Sequence, residues 1–192
     1  MKLGIIIGSI REGRSTDRVA KWAATAAASL AGVEVTLLDL RDFALPMFDE
    51  AVSPQYNPDR KPEGEVKKWL DALAAQDAII VVTPEYNRSI PGVLKNAFDY
   101  VAYELERKPV AIIAHGSSNG AQAVSHIRGI IPGMLAVSVP RAVMIPMAGS
   151  AFDENGVLNA ELAANPYGPA SALTAMLADL VDYSQALATI RL

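Results

Sequence analysis

Short apolar runs recur along the chain, and each is followed by a segment in which apolar residues return every three or four positions. The first run, residues 2–8, reads KLGIIIG and has no charged residue after Lys2. Strands that are apolar on both faces are typical of a parallel sheet with helices packed on either side. The repeated strand and helix units therefore predict an α/β protein with a mostly parallel sheet.

The same pattern gives approximate bounds for the elements. Five strands are expected at residues 2–8, 33–39, 77–83, 109–115 and about 141–145. Helices are expected from a Ser15 cap to about Leu30, over 63–75, after a Ser89 cap, after the turn at 116–120, and over 170–190. Pro132 should end the fourth helix near Ile131, and residues 146–169 should form a loop.

Length and charge narrow the class of protein. The chain has 192 residues and a formal net charge of -4, which suits one domain spanning residues 1–192. No basic stripe favours nucleic acid or an anionic membrane, and no apolar stretch approaches the roughly 20 residues that span a bilayer. We therefore expect no nucleic-acid or membrane partner, and we expect a cytoplasmic location. The sequence has no cysteine, which excludes disulfides and iron–sulfur clusters. We expect no metal site, and any electrons must be carried by a bound cofactor.

The loop after the first strand combines hydroxyl and guanidinium groups ahead of a helix. Its polar residues include Ser9, Arg11, Ser15 and Thr16. The first amides of a helix lack intrahelical partners and favour an anion, so a phosphate monoester would fit there. The alternative is that Ser15 and Thr16 merely cap the helix. Asp17, in the first turn, is expected to turn toward the helix dipole, Arg14 or Arg18.

Two further loops should lie beside the first, because the carboxyl ends of parallel strands meet at one edge of the sheet, where ligands bind. Residues 83–92 read TPEYNRSIPG, in which two prolines stiffen the backbone and polar side chains offer hydrogen bonds. A flat ring with an imide edge, such as an isoalloxazine, would need such a cradle; the alternative is a proline-braced turn without a ligand. His115, before the turn at 116–120, either touches the ligand or hydrogen-bonds to a loop.

Several stretches resemble one known family. Residues 84–99, PEYNRSIPGVLKNAFD, and the opening GSIREGRS resemble the NADPH-dependent FMN reductase family of the flavodoxin-like superfamily, which includes quinone, chromate and azo-dye reductases. Similar stretches at 44–50, 116–123 and 148–159 extend the likeness through nearly the whole chain. The resemblance implies a three-layer doubly wound sandwich with a five-stranded parallel sheet in the flavodoxin-like order 2-1-3-4-5.

The resemblance also implies roles for individual residues. The FMN phosphate would be held by Ser9, Arg11, Ser15 and Thr16. The isoalloxazine would lie along Pro84, Glu85, Tyr86 and Asn87, chiefly through backbone groups, with Ser89 nearby. Ser117 and Gly120 would border the other side of the ring. Backbone N–H groups of residues 85–87 and 117–120 would stabilise charge on the reduced ring.

The implied activity is that of an NAD(P)H oxidoreductase. NADPH or NADH would give a hydride to FMN, and a quinone, azo compound, metal oxyanion or free flavin would then take the electrons. Two alternatives stay open, namely a flavodoxin-type electron carrier that does not oxidise nicotinamide, and a phosphate-binding regulatory module. Because the family commonly places FMN beside a subunit interface, we expect a homodimer or homotetramer with Tyr100 and Tyr103 as candidate contacts.

Overall fold

Five parallel strands form one sheet through the middle of the protein. The computed structural model describes residues 1–191, and the strands follow the order β2-β1-β3-β4-β5. Their bounds are Lys2–Ile7 for β1, Glu34–Asp39 for β2, Ala78–Pro84 for β3, Pro109–Gly116 for β4 and Val137–Pro146 for β5. All four neighbouring pairs are parallel. The predicted α/β class and the predicted strand order are therefore confirmed.

Helices cover both faces of the sheet. Seven are described, with bounds Thr16–Ala28 for α1, Gly64–Ala74 for α2, Gly92–Asp99 for α3, Ala121–Ile130 for α4, Ala148–Ala151 for α5, Ala160–Ala164 for α6 and Pro169–Ala188 for α7. Short 3-10 turns lie at Leu40–Asp42, Pro54–Tyr56 and Ile131–Met134. No helix between residues 1 and 191 is long and apolar enough to cross a membrane.

Two separate apolar cores lie on the two faces of the sheet. Ile5 and Ile80 pack with α1 and α7 on one face, whereas Ile6 and Val81 pack with α2, α3 and α4 on the other. Successive side chains of a strand point to opposite faces, so neighbouring residues enter different cores. These four side chains are at most 1% exposed. The uninterrupted apolar runs in the sequence are a direct consequence of this double burial.

Several predicted bounds differ from the structure. Strand β5 begins at Val137 rather than near residue 141, because it is an edge strand and Pro140 lies where its pairing with β4 is interrupted. A register shift between Val110 and Ile112 of β4 accommodates the extra residues. The segment expected as a loop at 146–169 contains α5 and α6.

The third and fourth helices show where cap predictions succeed and fail. Helix α3 begins at Gly92 with Pro91 as its N-cap, so the predicted Ser89 cap is wrong. The Ser89 backbone is instead paired with Tyr86 in a turn. Helix α4 ends at Ile130, and Pro132 lies in the 3-10 turn that follows, as predicted.

Candidate functional site

Four loops meet at the carboxyl edge of the sheet, and short hydrogen bonds join them. The Gly8 amide donates to Val82 O at 2.8 Å, and the Glu85 amide donates to His115 O at 2.7 Å. The Met147 amide, after β5, donates to Gly116 O at 3.2 Å. The sequence predicted that the loops after β1, β3 and β4 come together. It did not predict the contribution of the loop after β5, whose residues carry no phosphate- or ring-binding pattern.

The loop between β1 and α1 presents unused hydrogen-bond donors. The amides of Glu12, Gly13, Ser15 and Thr16 donate to no other residue of the described chain. Ser15 is the N-cap of α1, yet its hydroxyl makes no capping bond. The exposed Arg11 guanidinium likewise has no carboxylate within ion-pair distance among residues 1–191. Unpaired amides at a helix N-terminus, joined by a hydroxyl and a cation, form a donor set that suits a phosphate.

A second arginine fixes the shape of this loop. The Arg14 side chain is 5% exposed, and its guanidinium donates to Ser9 O and to both carboxylate oxygens of Asp39 at the end of β2. Arg41 donates to Arg11 O at 2.6 Å and to Ile10 O at 3.3 Å. The carbonyl oxygens of residues 9–11 are thus held by arginine side chains, whereas the amides of Glu12, Gly13, Ser15 and Thr16 stay free for a ligand.

The carboxylates of Asp39 and Asp17 have different surroundings. Burial alone would raise the pKa of Asp39, but hydrogen bonds from the Arg14 guanidinium and the Arg41 amide, together with their charges, lower it below its ordinary value. Arg14 was one of the expected partners of Asp17, but it pairs with Asp39 instead. The buried Oδ1 of Asp17 has no hydrogen-bond partner within the described chain.

The loop between β3 and α3 contains a tight two-residue turn. The amide of Tyr86 donates to Ser89 O, and the amide of Ser89 donates to Tyr86 O, each at 2.9 Å. The central residues Asn87 and Arg88 have φ values of 49° and 66°, which define a type I′ geometry. The Tyr86 hydroxyl shares a hydrogen bond of 3.0 Å with Ser9 Oγ. The ring-side and phosphate-side loops are therefore directly linked.

The amides expected to face the ring are only partly free. Of residues 85–87, the amides of Glu85 and Tyr86 already donate to backbone carbonyls, which leaves that of Asn87. In the turn after β4, the amides of Ser117, Ser118 and Gly120 make no hydrogen bond to residues 1–191. Any stabilisation of negative charge by backbone donors at this edge therefore falls mainly to the turn at 116–120.

Close packing against the end of β4 explains the glycine at the end of the second turn. Gly120 has a φ of 80°, and an added Cβ would lie 2.6 Å from Ala114 Cβ and 2.7 Å from His115 N. Glu85 Oε2 accepts a hydrogen bond of 3.0 Å from the Gln122 amide at the start of α4. The Glu85 side chain therefore holds α4 in place, and its backbone is what remains near the edge.

His115 links the end of β4 to the start of α1 through a buried hydrogen bond. Its Nε2 shares a hydrogen bond of 3.0 Å with the hydroxyl of Thr16, and both residues are buried. Burial lowers the pKa of His115 from 6.5 to about 4, so the imidazole is neutral at pH 7. Of the two roles that the sequence left open, the structure gives His115 a hydrogen bond to a loop. The Thr16 hydroxyl is thereby engaged, and its free amide is the group that a ligand could use.

Tyr100 does not lie on the surface. It is 2% exposed, its hydroxyl donates to Pro46 O at 3.2 Å, and its ring contacts Phe48 edge to face at 5.2 Å. The prediction that Tyr100 contacts a partner subunit is wrong, because the segment after β2 folds back over this side of α3. Tyr103 is 56% exposed and stays a candidate for such a contact.

Comparisons with known proteins agree on one family. A model of the family described as NADPH-dependent FMN reductase matches residues 1–150. The chain is 31% identical over 148 residues to an NAD(P)H-dependent FMN reductase of Schizosaccharomyces pombe, with 73% of this chain and 74% of that protein covered. It is 36% identical over 139 residues to a 2-hydroxy-1,4-benzoquinone reductase of Burkholderia sp, with 68% and 69% covered.

A solved structure shares the fold. The flavoenzyme NAD(P)H:(acceptor) oxidoreductase of Paracoccus denitrificans superposes with a TM-score of 0.73 at 24% identity, and the match covers 96% of this chain and 97% of that one. The likeness extends past residue 150, where the family match ends, into the segment that carries α6 and α7. The whole described sheet and its helices therefore follow an arrangement already seen in a flavoenzyme.

Proposed function

The chain belongs to the NADPH-dependent FMN reductase family, and from this premise we propose which residues hold FMN and which acceptor the enzyme reduces. The enzyme is an oxidoreductase of the NAD(P)H-dependent type with FMN as its cofactor. Membership of this family argues against both alternatives, the electron carrier that leaves nicotinamide untouched and the regulatory module without redox activity.

The phosphate of FMN is held by the loop between β1 and α1. The observation that carries this assignment is the set of unused donors there, namely the Ser15 hydroxyl, the Arg11 guanidinium and the amides of Glu12, Gly13, Ser15 and Thr16. Ser9 and Thr16 shape the cradle through their bonds to Tyr86 and His115, and they offer backbone groups to the ligand. The same loop therefore contains residues whose donors are free for the ligand and residues whose side chains are hydrogen-bonded to the rest of the protein.

The isoalloxazine is held by the two turns that follow β3 and β4. Residues 84–87 and Ser89 form one wall, stiffened by the type I′ turn, and residues 117–120 form the other. When bound, FMN supplies the two-electron chemistry that links nicotinamide oxidation to reduction of an acceptor. The chain orients the cofactor and offers the free amides of Ser117, Ser118 and Gly120 as hydrogen-bond donors. The buried His115 is neutral and adds no charge next to the site.

The acceptor is a quinone. Apolar side chains border the same edge of the sheet: Ile10 is 46% exposed, Met47 is 78% exposed and Met147 is 60% exposed. Exposed apolar groups beside a ligand site favour a flat organic acceptor over a hydrated metal oxyanion. The name of the Burkholderia relative, a 2-hydroxy-1,4-benzoquinone reductase, supports the same class. We propose a homodimer or homotetramer, as the family resemblance implies, with the exposed Tyr103 as a candidate contact. The cytoplasmic location stays a prediction from the sequence.

Loss of the Arg11 guanidinium tests the phosphate assignment. Replacing Arg11 by alanine removes a charge-assisted contact, which is worth about 1.5 kcal/mol or about tenfold in affinity. We therefore expect Arg11→Ala to weaken FMN binding, measured by quenching of flavin fluorescence, about tenfold while leaving riboflavin binding unchanged. Arg141→Ala, which removes an exposed guanidinium from the outer strand β5, serves as the control. Equal losses for FMN and riboflavin would contradict the assignment.

The redox activity has its own test. The FMN-loaded protein should bleach when titrated with NADPH without oxygen, and it should regain its colour when a benzoquinone is added. A protein that binds FMN but is not reduced by NADPH or NADH would instead be an electron carrier. Light scattering should give a mass of at least twice 20.4 kDa, and a single-chain mass would reject the proposed oligomer.

A further inference from the structure

Arg88 lies in a backbone conformation that favours glycine. It occupies the second central position of the type I′ turn, with a φ of 66°, and residues with a Cβ are strained there. Nothing in the fold requires an arginine at this point. Its side chain is exposed, and its one hydrogen bond to a described residue is a long contact of 3.3 Å to Ser118 Oγ. Strained residues without a packing role cluster at functional sites.

A histidine lies beside this turn. His126 is an exposed residue of α4, and its Nδ1 shares a hydrogen bond of 2.8 Å with the hydroxyl of Ser89. This bond orients the imidazole, and Nε2 has no partner within the described chain. Ser89 and His126 also line a groove of about 600 Å³ between α3 and α4, together with Lys95 and Ser125. Polar side chains therefore lie beside the ring-side turn, in the groove between α3 and α4.

These groups are separate from the proposed FMN phosphate site. FMN has one phosphate, and the loop between β1 and α1 supplies the donors for it. Arg88 and His126 belong to the β3 loop and α4, and their side chains bond to Ser118 and Ser89 rather than to the loop between β1 and α1. A second set of free donors at the same edge indicates a second ligand that carries phosphate. The overall charge of -4 repels such an anion, so local cations are needed to hold it.

We propose that Arg88 and His126 bind a phosphate of the nicotinamide nucleotide while its nicotinamide reaches the ring side of the site. This assignment rests on the proposed function, because NADPH and NADH are the phosphate-bearing substrates of that activity. Arginine offers a planar set of donors that matches phosphate oxygens, and the bond from Ser89 fixes the orientation of the second donor, His126. The strained turn thus places a cation where the substrate approaches.

The substitution Arg88→Gly isolates this role. Glycine suits the φ of 66°, so the variant removes the guanidinium while relieving backbone strain. Arg107→Gly is a matched control, because Arg107 is also exposed, also has a positive φ of 55°, and precedes β4 at the opposite edge of the sheet. We expect Arg88→Gly to raise the KM for NADPH about tenfold at unchanged kcat, with FMN affinity unchanged, and we expect Arg107→Gly to match the wild type.

The choice of nucleotide distinguishes the two phosphate sources. A loss confined to NADPH assigns Arg88 to the 2′-phosphate, and equal losses for NADPH and NADH assign it to the pyrophosphate. Arg88→Lys, which keeps the charge, should recover part of the affinity, and His126→Gln should weaken the same nucleotide. Unchanged KM values for both nucleotides in Arg88→Gly and His126→Gln would overturn the proposal. If the wild-type holoprotein oxidises neither nucleotide, the proposed function fails as well, and that result is visible before any variant is made.

Discussion

Replacing His115 by glutamine should make the stability of the protein less sensitive to acid. The imidazole is buried, and burial lowers its pKa from 6.5 to about 4. Between these values the unfolded chain takes up a proton at His115 that the folded chain does not. The free energy of unfolding therefore falls as the pH drops from 6.5 to about 4, and above 6.5 the residue has no effect.

The size of the effect follows from that difference in pKa. One pKa unit corresponds to about 1.4 kcal/mol, so complete loss of the contribution amounts to roughly 3 kcal/mol. Glutamine does not titrate, and its side-chain amide can still hydrogen-bond with the hydroxyl of Thr16. The variant should therefore lose less stability than the wild type between pH 7 and pH 4, by roughly that amount.

Urea unfolding at pH 7, 5.5 and 4, followed by circular dichroism, measures the difference directly. His126→Gln, the same substitution at the exposed second histidine, is the matched control and should lack the roughly 3 kcal/mol change expected from buried His115. Parallel curves for the wild type and His115→Gln would refute the reasoning, since they would mean that the imidazole is protonated as readily in the folded protein as in the unfolded chain.

Two further substitutions probe the framework of the site. Gly120→Ala should lower the free energy of unfolding by about 3 kcal/mol, because the new methyl group would overlap Ala114 and His115 N. Thermal unfolding measures the loss, and a melting temperature equal to that of the wild type would contradict the tight packing. Arg14→Met should also cost about 3 kcal/mol and weaken FMN binding, because it leaves Asp39 without its partner, and the double variant with Asp39→Asn should recover part of the loss.

The fold could be predicted from the sequence because its main signal is local. Each buried strand appears as a short apolar run, and the helix that follows has its own period. Edges and caps depend on tertiary context and were less predictable. Strand β5 was expected near residue 141 and begins at Val137, because an edge strand tolerates Pro140. Ser89 suggested a helix cap, but pairing with Tyr86 in a tight turn decides its conformation.

The site shows the same division. Parallel strands bring their carboxyl ends together, so the meeting of the loops after β1, β3 and β4 could be predicted from strand order alone. The partners of individual side chains could not be predicted, because they come from distant segments. Thr16 bonds to His115, 99 residues away, and Glu85 bonds to the amide of Gln122. Tyr100 was expected at the surface, and contacts with Pro46 and Phe48 bury it.

The arginines of the site separate into two physical roles. Arg14 and Arg41 donate to backbone carbonyls, and Arg14 also pairs with Asp39. These two guanidinium groups therefore fix the conformation of the loop between β1 and α1. Arg11 and Arg88 have no carboxylate within ion-pair distance among residues 1–191 and are exposed. Because the paired arginines already hold the loop in place, an anionic ligand can bind the unpaired arginine without the cost of ordering the loop. Two such free cations at one edge, one in the loop between β1 and α1 and one in the ring-side turn, suit an enzyme that binds two phosphate-bearing molecules.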